Sequence, residues 1–219
     1  MTPLCVTATI AGQLCMPERP IALDALLAAA VAMRDNIPPP LTRDDVQEID
    51  IPVQRSDCGR YWLVSQAVCD VEVYALRYLN KRAPVEQYQT IGSLKITRVD
   101  IGAGVNKSYR IPMETMYPSD GLLTWWCLGD ADAVRELLAL IHHLGKKRSV
   151  GMGIVQRWTV EPCETWPGFP VMRDGFPLRS LPIDTRGLSP NAEQGYAVLS
   201  PPYWRHEKEE LCALPQAPA

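Results

Sequence analysis

The chain has 219 residues, 47% of them hydrophobic, and a formal net charge of −3, which excludes global disorder and leaves room for one large domain or one domain with an elaboration. No apolar run approaches the ~18 to 20 residues that cross a bilayer, and no cationic, then hydrophobic N-terminal stretch marks a signal peptide. Seven cysteines, odd in number and widely spaced, with no C-x-x-C and no pair beside histidines, argue against a disulfide framework or a metal site. They fit a chain kept reduced in the cytoplasm, with no cofactor expected.

Residues 3–11 are β-branched and roughly alternating, which predicts a first strand. Residues 23–34 are rich in alanine and leucine and predict a first helix, stopped by Ile37-Pro38-Pro39-Pro40. The longest apolar run, residues 21–33, contains Asp24 and belongs to this helix. An acidic surface excursion follows, then strands at 61–66 and 69–75. Residues 77–118 read as a basic excursion. Leu94, Ile96, Val99 and Ile101 alternate within it, Gly102-Ala103-Gly104 turns the chain, and Tyr109-Arg110-Ile111 runs back. Residues 122–128, almost wholly apolar, predict a strand at a sheet centre. Asp130 is a fitting N-cap for a second helix over 131–144, where Val134, Leu137, Leu138, Ile141 and Leu144 keep helical spacing. Residues 154–160 predict the last strand.

In order, these elements make an α+β, ferredoxin-like (RRM-like) β-α-β-β-α-β core over residues 1–161, with a basic thumb insertion at about 77–118. Beyond Glu161, repeated prolines break any long element. Residues 162–219 are therefore expected to form a Pro-rich C-terminal extension wrapped on the domain, disordered after about Cys212.

The small net charge hides segregation. Residues 77–110 hold seven cations against two acids, and residues 145–157 hold four cations and no acid. A chain divided in this way can offer one basic face to a polyanion. The stretch Gly145-Lys146-Lys147-Arg148-Ser149-Val150-Gly151-Met152-Gly153 concentrates that chemistry. Its glycines let backbone approach a ligand closely, and its cations flank amides suited to phosphate. The rival reading makes Gly145 a helix C-cap, with the cations answering the helix dipole. Capping leaves Gly151-Met152-Gly153 at the start of a strand unexplained, so we read the stretch as a phosphate contact. Arg82, Lys95, Arg98, Lys107 and Arg110 then wrap a strand, and Tyr109 is the expected stacking residue.

Catalytic signals are sparse. The histidines are His142, His143 and His206, and the first two are expected to end the second helix as an electrostatic cap. The G-x-x-x-x-G-K-[ST] order of a P-loop is absent, and no carboxylate pair stands out.

The core order, with a Gly- and Lys/Arg-rich loop between the last helix and Ile154-Val155, resembles the RAMP superfamily of CRISPR proteins. The opening helix from Ile21 to Ala30 is also similar to that of these proteins. With the Trp125-Trp126 strand, the chain looks most like the small Cas-five-type subunit of type IV (class 1) effector complexes. That resemblance implies a non-catalytic subunit that holds the 5′ handle of the crRNA and caps a filament of backbone RAMP subunits. A large subunit would stand beside it, and target DNA near the flanking motif is a further partner to test. The thumb would touch a neighbour. The alternative within the superfamily is an endoribonuclease that cuts CRISPR repeat RNA, for which His142 and His143 would be the acid–base candidates.

Overall fold

The computed structural model describes residues 1–15, 20–42, 45–82, 102 and 107–215. The fold is α+β, with its centre at β1 (Thr2–Ala11). This strand alternates buried Leu4, Val6, Ala8 and Ile10 with half-buried Cys5, Thr7 and Thr9, so one face meets the core and the other does not. Antiparallel neighbours flank it in the order β4-β1-β5, with β4 at Leu122–Gly129 and β5 at Ile154–Pro162. Thus β1 lies at the middle of this three-stranded sheet, and the Trp125-Trp126 strand stands beside it, met on its other edge by isolated bridges from residues 53–68.

Helix α1 (Leu23–Arg34) has the predicted bounds and ends where Asn36 takes a positive φ of 52° before the prolines. Asp130 caps α2 (Ala131–Leu138): its Oδ1 accepts from the N–H groups of Asp132 and Ala133, each at 3.0 Å. Both helices bury into one cluster with the inward residues of the sheet, including Leu27, Val31, Val134, Leu138, Val6 and Trp125. Trp158 tilts against Trp125 with ring centroids 5.7 Å apart. A cleft of about 880 Å³ lies outside α1, between Ala25, Ala29 and Ala32 on one side and Pro39 and Pro202 on the other.

Two of the strand expectations change. The strand at 61–66 is not continuous: residues 53–68 meet the outer edge of β4 through isolated antiparallel bridges Val53↔Gly129, Val64↔Cys127 and Val68↔Thr124. Its backbone also serves other partners, such as Gln66 N–H donating to Leu178 O, so a regular ladder does not form. The strand placed at 69–75 belongs to the arm. Strand β2 (Val71–Lys81) pairs with β3 (Tyr109–Pro118) as a two-stranded hairpin. The predicted inner strand around 93–101 lies outside the described residues.

The second helix stops at Leu138, not at Leu144. Ile141 and Leu144 are buried as predicted, but from extended chain that folds back on β5. Val155 N–H donates to His142 O and Leu144 N–H donates to Gly153 O, while Trp158 Nε1–H takes Ile141 O at 2.9 Å. Helical spacing of apolar residues survives because both conformations face the same core. The helix cap read into Gly145, and the helix-end role of His142 and His143, therefore fall.

The extension is more ordered than a wrapped tail. Strands β6 (Met172–Arg173) and β7 (Phe176–Pro177) pair, and β8 (Leu181–Pro182), β9 (Gln194–Ala197) and β10 (Glu210–Ala213) form a sheet in the order β8-β10-β9. Tyr61 joins Val171, Leu181, Leu199 and Cys212 in its small core, so the extension packs on the segment beside β4. Regular structure continues through Ala213, close to the boundary at about Cys212, and residues 216–219 lie outside the described residues.

Candidate nucleic-acid interface

The glycine stretch is a loop clamped at its base. Residues 13–15, between β1 and α1, hold it: Lys146 N–H donates to Cys15 O at 2.7 Å and Gly153 N–H donates to Gln13 O at 2.9 Å. Two glycines make that approach possible. Gly145 has φ of +74°, and a Cβ there would stand 2.5 Å from Cys15 O; Gly153 has φ of +66°, and its Cβ would run into Leu144 O. Neither position accepts a side chain without moving backbone. The glycines therefore serve packing of the loop on its own fold, whereas Gly151 faces open space.

Between the clamped ends the chain turns outward. Lys147 takes a left-handed conformation, φ 61° and ψ 31°, and a single 3₁₀ turn covers Arg148–Val150. Lys146, Arg148 and Ser149 are exposed and Lys147 is half-buried. Among the described residues, Lys146, Lys147 and Arg148 meet no carboxylate at ion-pair distance, and the amides of residues 147–149 find no acceptor. A left-handed residue followed by right-handed ones aligns successive amides as an anion-binding concavity does. The loop can therefore meet a phosphate with both backbone and side-chain donors.

The same residues 13–15 also hold the arm. Leu14 exchanges backbone hydrogen bonds with Met116 of β3, N–H to O at 3.0 Å and the reverse at 2.9 Å. With the Gln13 amide turned to satisfy its neighbours, Gln13 Oε1 accepts from Arg77 Nη2 at 2.7 Å and Arg77 Nε at 3.1 Å. Gln13 and Leu14 carry no motif in sequence, and their role rests on contacts to residues far along the chain.

The arm's own cations lie further out. Arg110 and Tyr109 pair with Asn80 and Lys81 at the far end of the hairpin, about 20 Å along the strand from Met116 at the usual rise. There the Arg110 guanidinium stacks 3.7 Å from the Tyr78 ring centroid, and Lys81 Nζ lies 5.9 Å from that of Tyr109. Tyr109 is 39% exposed, so one predicted stacking residue does present its ring. Arg82 and Lys107 are exposed. Lys95 and Arg98 lie outside the described residues. The predicted site residues thus form two stations on one support rather than one cluster.

The remaining chemistry is elsewhere or absent from the described residues. His142 is exposed and His143 half-buried, on extended chain beside the loop; His206 pairs with Glu209 at 2.8 Å. Among the described residues no group of histidine, cysteine and carboxylate side chains could hold a metal, and no helix is long and apolar enough to cross a membrane. Among the described residues, the cleft beside α1 is lined by Asp45 and Glu48 and by no cation, which ill suits a polyanion.

Residues 2–215 match the family described as CRISPR type IV associated protein Csf3. The match spans nearly the whole chain, and the protein belongs to that family, the Cas-five-type subunit of type IV systems. No curated protein matches the chain.

Proposed function

We propose that this subunit binds the 5′ handle of the crRNA in a type IV effector complex, caps one end of the guide ribonucleoprotein and does not cut RNA. One observation carries the reading: a loop of three cations and of amides that find no acceptor among the described residues, clamped at both ends to the segment that also roots the arm. Handle phosphates sit on Lys146, Lys147, Arg148 and the amides through Ser149. The strand then follows the arm toward Arg110 and Tyr109, where an unstacked base meets an aromatic ring. We read the core as ferredoxin-like, with residues 53–68 standing where a regular fourth strand is expected beside β4. Backbone RAMP subunits and a large subunit are the protein partners this role requires.

His142 and His143 follow one another on extended chain, so their side chains leave on opposite sides. A paired acid and base acting on one phosphate would need them together, which favours binding over cleavage.

The test is the full chain with 5′-labelled CRISPR repeat RNA on native and denaturing gels, beside a Lys146→Ala/Lys147→Ala/Arg148→Ala variant. A shifted, intact RNA in the wild type, and a salt slope of log affinity about 2 units smaller in the folded variant, are expected for three lost phosphate contacts on a single strand. Equal affinity in the folded variant removes the loop from the interface. A discrete product, lost on changing His142 and His143, makes the protein a processing endonuclease instead.

A further inference from the structure

The central sheet has a second face, turned away from both helices, and its composition differs from that of a docking face for protein. Register places Thr7 between Thr124 and Thr159, and the next level out places Thr9 between Leu122 and Arg157. The hydroxyls of Thr9, Thr124 and Thr159 have no hydrogen-bond partner among the described residues, and that of Thr7 meets only the Cys5 thiol at 3.9 Å. Arg157 is exposed and, among the described residues, faces no carboxylate at ion-pair distance. Hydroxyls and an exposed cation thus hold the middle of this face, with Leu122 beside them and Trp126 and Leu128 towards the far end, where a protein core would call for a continuous apolar patch.

Both ends of this face carry groups suited to a nucleic acid. At one end β5 begins directly after Gly153, so Arg157 continues the basic stretch that starts at Lys146. At the other, where Cys5 lies between Trp126 and Glu161, the chain leaving β5 crosses over the strands. Trp166 meets Trp126 edge-on at 5.5 Å. The exposed Arg173 holds its guanidinium 4.4 Å from the Trp166 ring and 5.7 Å from Trp126. Glu161 is the one acid that the register places on this face, and it sits at the covered end. From Ile154 to Glu161 the strand spans about 23 Å.

We propose that this face is a second RNA subsite, on which the single strand leaving the glycine loop lies across the threonine row. Arg157 and Arg173 contact its phosphates, the hydroxyls donate to phosphate or 2′-OH oxygens, and one base packs against the Trp126–Trp166 pair. Any base has a π-face to offer such a pair, so the subsite tolerates sequence. The inference rests on the RNA-binding reading given above and adds to it a track separate from both the loop and the arm.

The experiment measures binding of fluorescein-labelled single-stranded repeat RNA by the full chain across a salt series, together with tryptophan emission. Arg157→Gln lies on an exposed edge position and should leave melting unchanged. It is expected to weaken binding about 3- to 10-fold and to reduce the salt slope by about 0.7, the value of one single-strand phosphate contact. Arg157→Gln/Arg173→Gln should lose roughly another such factor. RNA should quench emission in the wild type, and less in Trp126→Phe. Wild-type affinity and slope in the folded Arg157→Gln variant, with binding lost in the loop triple variant, would sink this subsite and leave the loop in place. Loss of a complex subunit from Arg157→Gln with RNA binding intact would make the face a protein interface, which also overturns it. If the wild type binds no RNA at all, the functional reading fails first and the subsite with it.

Discussion

Two groups of cations in this molecule have opposite surroundings. Arg179, in the extension, is buried: its guanidinium donates to Trp62 O, Leu199 O and Asp24 Oδ2, the last at 3.3 Å, and reaches the Tyr203 hydroxyl. Asp24 in turn accepts from Tyr203 Oη–H at 2.8 Å and from Ala25 N–H at 2.9 Å. Lys146, Lys147 and Arg148 stand on a clamped loop and meet no carboxylate among the described residues. A cation removed from water with its partners ties elements together: both terminal nitrogens of Arg179 are spent on the fold, and only its buried Nε finds no partner among the described residues. A cation held in water by fixed backbone costs the fold little and keeps its field for a partner. Burial and pairing, rather than charge, separate the two roles.

The largest expected effect breaks the buried set. Arg179→Met leaves the Asp24 carboxylate without its counter-ion and is expected to cost roughly 3–5 kcal/mol, read as a fall in urea midpoint. Burial already pushes the Asp24 carboxyl above its ordinary range, against the pull of Arg179 and Tyr203. Without Arg179 it rises further, so the native state holds a proton that the unfolded chain releases near 3.8. Native stability is then favoured in acid and lost as pH rises through the raised value. The variant's deficit should accordingly be smaller at pH 5 than at pH 7. The double change Asp24→Leu/Arg179→Met should recover much of the loss, since apolar replacements of a buried pair are often neutral. An equal deficit at both pH values would mean that loss of Arg179 does not raise the Asp24 carboxyl into this window.

Next in size is the clamp beneath the exposed set. Gly153→Ala forces a Cβ toward Leu144 O at a positive φ, a strain on the order of 1–3 kcal/mol, measurable as a lowered melting temperature. It should also weaken RNA binding, because the loop's placement depends on that approach. Gly151→Ala meets open space and carries only the penalty of its positive φ, so the difference between the two variants isolates the clamp.

The sequence made the central elements legible for simple reasons. Alternation in β1, composition in α1 and the Asp130 cap each act over a few residues, and all three appear where expected. What it hid depends on distant partners. Gln13 and Cys15 become supports only when Lys146 and Gly153 arrive. Arg179, one arginine among prolines, gains meaning from Asp24, 155 positions away. The overextended second helix has the same origin: Ile141 and Leu144 bury their side chains as a helix would, while Trp158 and Gly153 take their backbone.

A smaller effect separates stability from binding at one residue. Lys147 holds a left-handed φ of 61° that glycine adopts freely. Lys147→Gly should therefore leave the fold as stable or improve it by up to ~1 kcal/mol, while reducing the salt slope of RNA binding by about 0.7. A gain in stability with a loss of affinity would show strain retained for a ligand's sake. Loss of both would place Lys147 with Arg179, among the cations the fold needs.

The smallest effect concerns a cation with a foot in each group. Arg110 is exposed, yet its guanidinium lies 3.7 Å from the Tyr78 ring. Arg110→Gln should lower stability by ~0.5–1 kcal/mol, the scale of an exposed cation–π contact, and weaken RNA binding only two- to threefold by the loss of one phosphate contact. Arg110→Lys divides these parts. A lysine keeps the charge but not the planar group that stacks, so the salt slope should return while the stability loss persists. If stability returns and the slope does not, the planar guanidinium, rather than its charge, is what meets RNA, and the arm grips by stacking.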